Sequence, residues 1–260
     1  MAVFNQLALT RRCLESLART TEPFRLVVID NGSTDGSRDL FRAFPYPYPL
    51  HLIENDDNRS VIASLDRAWR AAETDVVCFL HNDTEVADPA WLSTLVRALD
   101  EPGVGAAGVF GVKRMRRNSR FVGRTIVHSL AEGPTVRPSG EDVVAIDGVC
   151  LCIARRLLEE VGGLDTGYGF YHGWDKDLSF AVRERGLRCR IVRAPLHHHG
   201  GGTRTDEFRR DPERERRDLA LRKVAIDRLL EKWGHRLPAD ARPAGTRVRE
   251  WLASRYPWRS

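Results

Sequence analysis

The chain has 260 residues, of which 42% are hydrophobic and 30% charged, and these proportions fit a globular protein with one large α/β domain or one domain and a tail. It contains no run of 18 uninterrupted apolar residues and no basic N-terminal region followed by an apolar stretch, so neither a transmembrane helix nor a signal peptide is expected. The five cysteines are scattered through apolar runs, which favours buried thiols in a reducing cytoplasm over a disulfide framework.

The formal net charge of +5 is unevenly distributed along the chain. Residues 204–260 contain 16 Lys and Arg against 10 Asp and Glu, a net charge of +6, so the rest of the chain is near −1. We find no basic face with aromatic platforms and no groove-reading motif, so a nucleic-acid partner is not expected. Nucleic-acid binding through the basic tail is kept as an alternative, which strongly salt-dependent binding to a duplex would support.

The first half of the chain alternates short apolar runs with helix-like stretches. Apolar runs at 26–30, 50–54 and 76–80 predict strands, and each is followed by polar turn residues. The stretch 61–72 has helical composition, and Asp88-Pro89 is typical of a helix start. Strands that alternate with helices predict a parallel sheet covered on both faces, with ligands bound at the carboxyl ends of the strands.

The second half is predicted to contain shorter elements and then one long helix. The elements expected there are an extended segment at 103–112, a loop at 113–124 with six basic residues, one or two strands within 143–153, helices at 155–161 and 174–185, a strand at 189–192 and a charged helix at 211–233.

Polar side chains follow the predicted strands of the first half. The run from Asp30 to Asp35 can hydrogen-bond a pyrimidine edge or a ribose hydroxyl, although an Asx-type turn that only caps the next helix explains the same residues. Asp83 can help to hold a divalent cation that bridges two phosphates, because one or two carboxylates suffice as hard oxygen ligands. A turn acid or a helix N-cap is the alternative interpretation of Asp83.

Two further segments carry groups suited to catalysis. Asp175 and Asp177 open a predicted helix, where a carboxylate can accept the proton of an attacking hydroxyl, and complementarity to the helix dipole is the alternative. We expect Asp175 to be functional and Asp177 to be structural. One imidazole of the run 197–199 could complete a metal's coordination shell. All three cannot face one ion from a strand, because alternate side chains point to opposite faces, and each histidine could equally be a solvated or core residue.

Together and in this order, the motifs resemble glycosyltransferase family 2, including its rhamnosyltransferase-like members, over about residues 4 to 204. The segments that carry the resemblance are Phe4-Asn5, Cys13–Leu17, Val27–Ser37, Asn58–Ser60, His81–Thr84, Val161–Thr166, Trp174–Leu178 and His198–Thr203.

The resemblance implies a GT-A fold, which is an α/β architecture with a Rossmann-like mixed sheet flanked by helices, followed here by a helical tail. The implied catalytic domain covers 1–204, with a nucleotide-binding half at about 1–100 and an acceptor half at about 101–204. Residues 205–260 would form a basic helical extension.

The resemblance also implies an activity. The chain would be a cytoplasmic enzyme that moves a sugar from a UDP or dTDP donor to an acceptor hydroxyl, inverting the anomeric centre with the help of Mn²⁺ or Mg²⁺. The acceptor would be a glycan, a lipid-linked molecule or a small molecule, in polysaccharide or glycoconjugate synthesis. The implied roles are general base for Asp175, metal binding for Asp83 with His198 or His199, nucleotide binding for Asp30, Asn31, Asn58, Arg59 and Asp83, and donor-sugar or acceptor contact for Asp147 and Trp174.

The sequence departs from the family pattern at several points. His81 and Asn82 replace acids of the metal motif, Trp174 replaces the acid before the expected base, and only Met1–Val3 precede Phe4-Asn5. A catalytically weakened scaffold member of the same fold is therefore one alternative. A nucleotidyltransferase is another, but it would need a glycine-rich phosphate loop with a basic residue near the first strand, which is missing.

Two basic segments each have two interpretations. The loop from Lys113 to Arg124 could hold an anionic acceptor such as a lipid-linked diphosphate, or it could simply be solvated. The tail could pack as a helix and help to form a homodimer, or it could lie on an anionic membrane surface. Its narrow apolar faces favour packing.

Overall fold

The computed structural model of the protein describes residues 1–200 and 211–248. The α-helices whose ends both lie within these ranges are α1 (Leu7–Leu17), α2 (Ser37–Ala43), α3 (Val61–Ala71), α4 (Trp91–Leu99), α5 (Arg155–Glu160), α6 (Trp174–Glu184) and α7 (Pro212–Trp233).

The strands are short and distributed over several small sheets. They are β1 (Ala2–Val3), β2 (Leu26–Asn31), β3 (Leu50–Asn55), β4 (Val76–Leu80), β5 (Thr84–Val86), β6 (Val104–Gly108), β7 (Phe110–Val112), β8 (Arg114–Met115), β9 (Ile126–His128), β10 (Glu141–Val143), β11 (Ala145–Ile146), β12 (Cys150–Ala154), β13 (Arg188–Ile191), β14 (Leu196–His198) and β15 (Ala239–Asp240).

Two sheets form the centre of the fold. The first has the order β1-β2-β3 and is entirely parallel. The second has the order β10-β13-β6-β12-β4, and in it only β13 and β6 run parallel. The expectation of a wholly parallel sheet is therefore wrong, whereas the mixed sheet of the implied GT-A fold is confirmed. The chain enters β12 from the small sheet β11-β7-β9 and not through a crossover helix, so β12 can run antiparallel to both neighbours.

Helices cover the sheets by burying apolar side chains at helical spacing. In α3 the buried positions Ile62, Leu65 and Trp69 recur every three or four residues, and in α6 the same spacing buries Leu178 and Val182. Full burial of one such side chain stabilises the fold by roughly 1.5–3 kcal/mol. These side chains join a core cluster that also includes Ala225 and Leu229 of α7.

The long charged helix α7 packs against the core, as predicted, through Ala225 and Leu229. Asp211 caps α7 by accepting hydrogen bonds from the backbone N–H groups of Glu213 and Arg214, and Pro212 occupies the first turn. Near its other end, Trp233 stacks on Phe180 with ring centroids 5.8 Å apart. The aromatic residues Trp251, Tyr256 and Trp258 of the tail lie outside the described residues.

Most predicted elements are confirmed within one or two residues, and the exceptions have local causes. The helix expected at Asp88-Pro89 begins only at Trp91, because the Asp88 side chain accepts a hydrogen bond from the backbone of Ala90 and holds a turn. The antiparallel pair β5–β14 was not predicted, since three residues per strand give too short a pattern. No described helix combines the length and the apolar character needed to cross a membrane.

A cavity of about 500 Å³ lies between β2 and β4, on the side where β1 is only two residues long. Its lining is largely apolar and includes Met1, Val27 and Val77. It contains none of the predicted site residues, so it is not the candidate active site.

Candidate active site

Two adjoining cavities lie where the predicted site residues converge. The large cavity has a volume of about 550 Å³ and the small cavity about 180 Å³. They share part of their lining, and the shared residues are His81, Asp83, Gly148, Tyr171 and Trp174. A molecule with two parts could therefore occupy both cavities at once.

Asn31 and Asn58 line the small cavity. The Asn31 side-chain oxygen accepts hydrogen bonds from Asn55 Nδ2 at 2.8 Å and Ser64 Oγ at 2.7 Å, which fix the orientation of the amide. Its Nδ2 is buried and has no hydrogen-bond partner among the described residues. Leaving a buried N–H unpaired costs roughly 1–3 kcal/mol, so this group is suited to donate to a bound ligand.

Asp30 is buried beside Asn31 but organises the following turn. Its Oδ1 accepts hydrogen bonds from the backbone N–H groups of Gly32 and Ser33 and from Arg38 Nε at 2.7 Å. Asp30 therefore holds an Asx-type turn but does not cap the next helix, whose first N–H is accepted by Asp35. Its other oxygen is buried without a partner among the described residues. Arg59 pairs with Asp57 in solvent and lines neither cavity, so the structure does not bring it to the site.

Among the described residues, His81, Asp83 and His198 form a group that could hold a metal ion. Their ligand atoms all lie within 4.8 Å of one another, and Asp83 Oδ1 lies 3.3 Å from His198 Nε2 and 3.7 Å from His81 Nδ1. Burial alone would lower the pKa of His198, but the hydrogen bond and charge of Asp83 outweigh it and raise the pKa. Two imidazoles and one carboxylate suit a divalent ion such as Mn²⁺.

The three adjacent histidines separate as the alternation of a strand requires. His198 on β14 faces Asp83, whereas the rings of His197 and His199 lie 4.2 Å apart on the other side. His199 Nε2 lies 2.6 Å from Glu85 Oε1, and His197 pairs with Glu132. Of the two histidines predicted to bind metal, only His198 has its imidazole beside the Asp83 carboxylate. The structure adds His81, which the sequence analysis treated only as a departure from the motif.

Asp175 lies in the first turn of α6 and lines the large cavity with Asp147. Its Oδ2 accepts a hydrogen bond from the backbone N–H of Gly148 at 3.2 Å. Burial raises the pKa of Asp175, the nearby charge of Asp147 raises it further, and Lys176 opposes both. A carboxyl group with a raised pKa in a cavity is a suitable proton acceptor.

Asp177 has a different environment from Asp175, as expected for a structural residue. It is buried and accepts hydrogen bonds from the Tyr168 hydroxyl at 3.0 Å and from Trp233 Nε1 at 2.7 Å. Lys232 Nζ lies 2.7 Å from the same carboxylate. Asp177 thereby attaches α7 to the helix that carries Asp175.

Trp174 lies between the two cavities and lines both of them. Its indole is buried edge-on against Phe79, with ring centroids 5.2 Å apart. Gly148 makes this position possible, because a Cβ there would lie 2.5 Å from the indole. Trp174, which stands where the family has an acid, thus fits because the facing loop has Gly148 at this point.

Similarity to known proteins identifies the family. A family model described as glycosyl transferase family 2 matches residues 1–162, which is more than half of the chain. The chain belongs to glycosyl transferase family 2. The family assignment made from the sequence motifs is therefore confirmed. A relative, the O-antigen biosynthesis protein RfbC of Myxococcus xanthus, is 30% identical over an alignment of 226 residues that covers 76% of this chain. The chain spans only 17% of the length of that relative.

Solved structures with the same fold support the GT-A assignment of this family 2 chain. The mannosyltransferase PcManGT from Pyrobaculum calidifontis, in complex with GDP-Man and Mn²⁺, superposes with a TM-score of 0.61 at 21% identity, over 98% of this chain and 79% of that one. GalNAc-T7 with UDP, GalNAc and Mn²⁺ gives a TM-score of 0.62 at 14% identity, over 76% and 42%. At these identities the likeness shows the fold alone.

Several cavity residues were missed by the sequence analysis of this family 2 chain. Tyr171, His172 and Phe121 line the large cavity, as does Arg222 from α7, and Gln6 lines the small one. The sequence gives no periodic or motif signal for Arg222 because α7 reaches the site only through tertiary packing. Gln6 has a left-handed backbone conformation with φ of 68°. Residues other than glycine rarely adopt this conformation, so the sequence does not predict it.

Proposed function

We propose that this chain transfers a sugar from a nucleoside-diphosphate donor to an acceptor hydroxyl, with inversion at the anomeric carbon. The observation that carries the proposal is that the His81–Asp83–His198 group and the Asp175 carboxyl line one cavity of about 550 Å³. The His81–Asp83–His198 group is suited to a departing diphosphate, and the Asp175 carboxyl is suited to an attacking hydroxyl.

The small cavity is the proposed site for the nucleoside. Asn31, with its fixed carbonyl and unpaired buried Nδ2, would hydrogen-bond the base or ribose, and Asn58 would contact the same part of the donor. Asp30 would act mainly by holding the turn that presents Asn31. We propose UDP or dTDP as the nucleotide. Support for a nucleotide sugar comes from the two fold relatives above, whose structures contain UDP or GDP-Man.

A divalent ion, Mn²⁺ or Mg²⁺, is the proposed cofactor, held by His81, Asp83 and His198. The close ligand atoms and the mixed nitrogen and oxygen donors fit such an ion, and two imidazoles favour Mn²⁺ over Mg²⁺. When bound, the ion would neutralise the negative charge that develops on the departing diphosphate. Asp83 would hold both the ion and, through it, the donor.

Asp175 is the proposed general base. As the acceptor oxygen bonds to the anomeric carbon, the bond from that carbon to the diphosphate oxygen breaks and its electron pair leaves with the nucleotide. The proton of the acceptor hydroxyl passes to the Asp175 carboxylate, which the Gly148 backbone N–H holds in place. Asp147 and Trp174, which line the same cavity, would contact the donor sugar or the acceptor.

The biological setting that we propose is polysaccharide or glycoconjugate synthesis in the cytoplasm. The name of the RfbC relative supports it, although this chain matches only a part of that protein. The scaffold alternative is weakened by the grouping of two imidazoles and a carboxylate at the site.

Calorimetric titration with UDP, dTDP and GDP, each with and without Mn²⁺, tests the proposal. We expect one nucleotide to bind with micromolar affinity only when Mn²⁺ is present, and Asp83→Ala to abolish that binding. In a transfer assay with the matching nucleotide sugars, Asp175→Asn should keep nucleotide binding and lose about 10²–10⁴-fold in rate. Absence of nucleotide binding under all conditions would favour the scaffold alternative.

A further inference from the structure

Two separate elements carry the carboxyl groups Asp147 and Asp175 of the large cavity. Asp175 lies in the first turn of α6, whereas Asp147 directly follows the two-residue strand β11. Both carboxyl groups line the cavity, and the charge of Asp147 acts on Asp175. The environment of Asp175 is therefore constant only if the segment after β11 is held at a fixed position relative to α6.

Ser179, one helical turn after Asp175, connects these two elements. Its side chain is fully buried, with 0% exposed. Its Oγ accepts a hydrogen bond from the backbone N–H of Ile146 at 3.0 Å and donates one to the backbone carbonyl of Asp175 at 2.7 Å. One hydroxyl thus joins the end of β11, just before Asp147, to the first turn of α6.

A second hydrogen bond between the same elements lies at the cavity. The backbone N–H of Gly148 donates to Asp175 Oδ2 at 3.2 Å, which is at the long end of the usual range. This bond ends on a carboxylate that must take up a proton during transfer, so its strength changes during the reaction. The two Ser179 bonds end on neutral backbone groups, so they persist in both protonation states of Asp175.

We propose that Ser179 is a positioning residue for the transfer reaction, because its hydroxyl fixes the spacing between Asp147 and Asp175. Ser179 lines neither cavity, so it acts through these two carboxyl groups and does not touch the substrate. The inference rests on the proposed function, since it adds a residue to the same site. Without the hydroxyl, the segment after β11 can move away from α6 and water can enter between the two carboxyl groups.

A looser spacing lowers the pKa of Asp175. Burial raises the pKa of both carboxyl groups, and the charge of Asp147 raises that of Asp175 further. Lys176 opposes both shifts, and His198 opposes that of Asp147. His81 is close enough to interact with the charge of Asp175. These three basic groups are kept in every variant below, so burial and the repulsion by Asp147 are what the loss of spacing reduces.

The pH dependence of sugar transfer by Ser179→Ala tests this role. We expect the rate at neutral pH to fall about tenfold or more, and nucleotide affinity with Mn²⁺ to stay within about twofold. Asp175 must be deprotonated to act, so the acid limb of the profile should move to lower pH, by about half a pH unit. An unmoved acid limb would overturn the proposal. Ser179→Cys keeps the volume and only weak hydrogen bonds, so it gives the same test if the alanine variant does not fold.

Ser129→Ala is the matched control. Ser129 is also fully buried, and its Oγ donates to the backbone carbonyl of Ala194 and accepts from the N–H of the same residue. Ser129 lines neither cavity, so its loss should leave the acid limb in place. Ser179→Ala should shift the limb less when Asp147→Asn is already present, because the charge that the spacing controls is then missing. An equal shift in Ser129→Ala, or in both Asp147 backgrounds, would overturn the proposal.

The positioning role and the proposed function can fail separately. A ¹³C NMR titration of the Asp175 carboxyl, assigned by comparison with Asp175→Asn, measures its pKa without turnover. A lower pKa in Ser179→Ala than in Ser129→Ala, in a protein that transfers no sugar, would contradict the proposed function and retain the positioning of Asp175 by Ser179. Sugar transfer with the same Asp175 pKa in both serine variants would retain the proposed function and overturn the positioning role.

Discussion

His198 Nε2 lies 3.3 Å from Asp83 Oδ1, although 115 positions separate the two residues in the sequence. The antiparallel pairing of β5 and β14 places His198 opposite Thr84, and so beside Asp83. The next residue, His199, points to the other side of the strand and pairs with Glu85. The strand's alternation thus selects one histidine of the run for the candidate metal group.

Neighbouring histidines should therefore respond differently to the same substitution. His198→Gln is expected to weaken Mn²⁺-dependent nucleotide binding by about 10–100-fold, because it removes one of three metal ligands. His199→Gln should change that binding less than about threefold, since His199 lies outside the group of ligand atoms. Calorimetry with and without Mn²⁺ measures both effects. A larger loss in the His199 variant would show that the wrong histidine has been assigned.

The acid limb of the pH–rate profile should depend on Asp147. Asp175 must be deprotonated to accept a proton, and burial together with the charge of Asp147 raises its pKa above the ordinary 3.8. Asp147→Asn removes that charge and keeps the burial, so the acid limb should move to lower pH. Lys176→Gln removes an opposing positive charge and should move the limb to higher pH. The position of the limb, and not the height of the profile, is the measurement, and shifts in the same direction would contradict this account.

Asp177→Ala should destabilise the fold. The change leaves the Tyr168 hydroxyl and Trp233 Nε1 without their shared acceptor, whereas Lys232 keeps its contact with Asp165 at 2.9 Å. A donor left unpaired in the interior costs about 1–3 kcal/mol in the free energy of unfolding. Asp227→Ala is the control, because Asp227 pairs with Lys223 in solvent within α7. The loss of this exposed pair should cost at most about 1 kcal/mol. Urea denaturation distinguishes the two, and similar costs would argue against a structural role for Asp177.

Gly148→Ala should disturb the wall between the two cavities. The added Cβ would lie 2.5 Å from the Trp174 indole, and relieving such a contact in a packed core costs about 1–3 kcal/mol. Since Trp174 directly precedes Asp175, we expect the transfer rate to fall by about tenfold or more. Gly123→Ala is the control, because a Cβ there has no neighbour within 4 Å. Thermal unfolding and the transfer rate are the measurements, and equal behaviour of the two variants would refute the packing argument.

The sequence predicted the elements that have a strong local pattern. The apolar runs at 26–30, 50–54 and 76–80 are strands β2, β3 and β4, and the acidic start of α6 was recognised from Asp175 and Asp177. Local patterns did not predict strand direction in the second sheet, because an apolar run such as Cys150–Ala154 is equally buried whether its neighbours run parallel or antiparallel.

The sequence by itself determined the family, the main helices and strands, and the positions of Asp83 and Asp175 at the starts of polar segments, because these depend on residues that are close in the chain. Tertiary structure decided which residues meet. It brought His198 to Asp83 through a strand pair of three residues each, and it brought Arg222 to the large cavity through the packing of α7. Contacts of this kind depend on how distant elements pack, and no local spacing in the sequence encodes them.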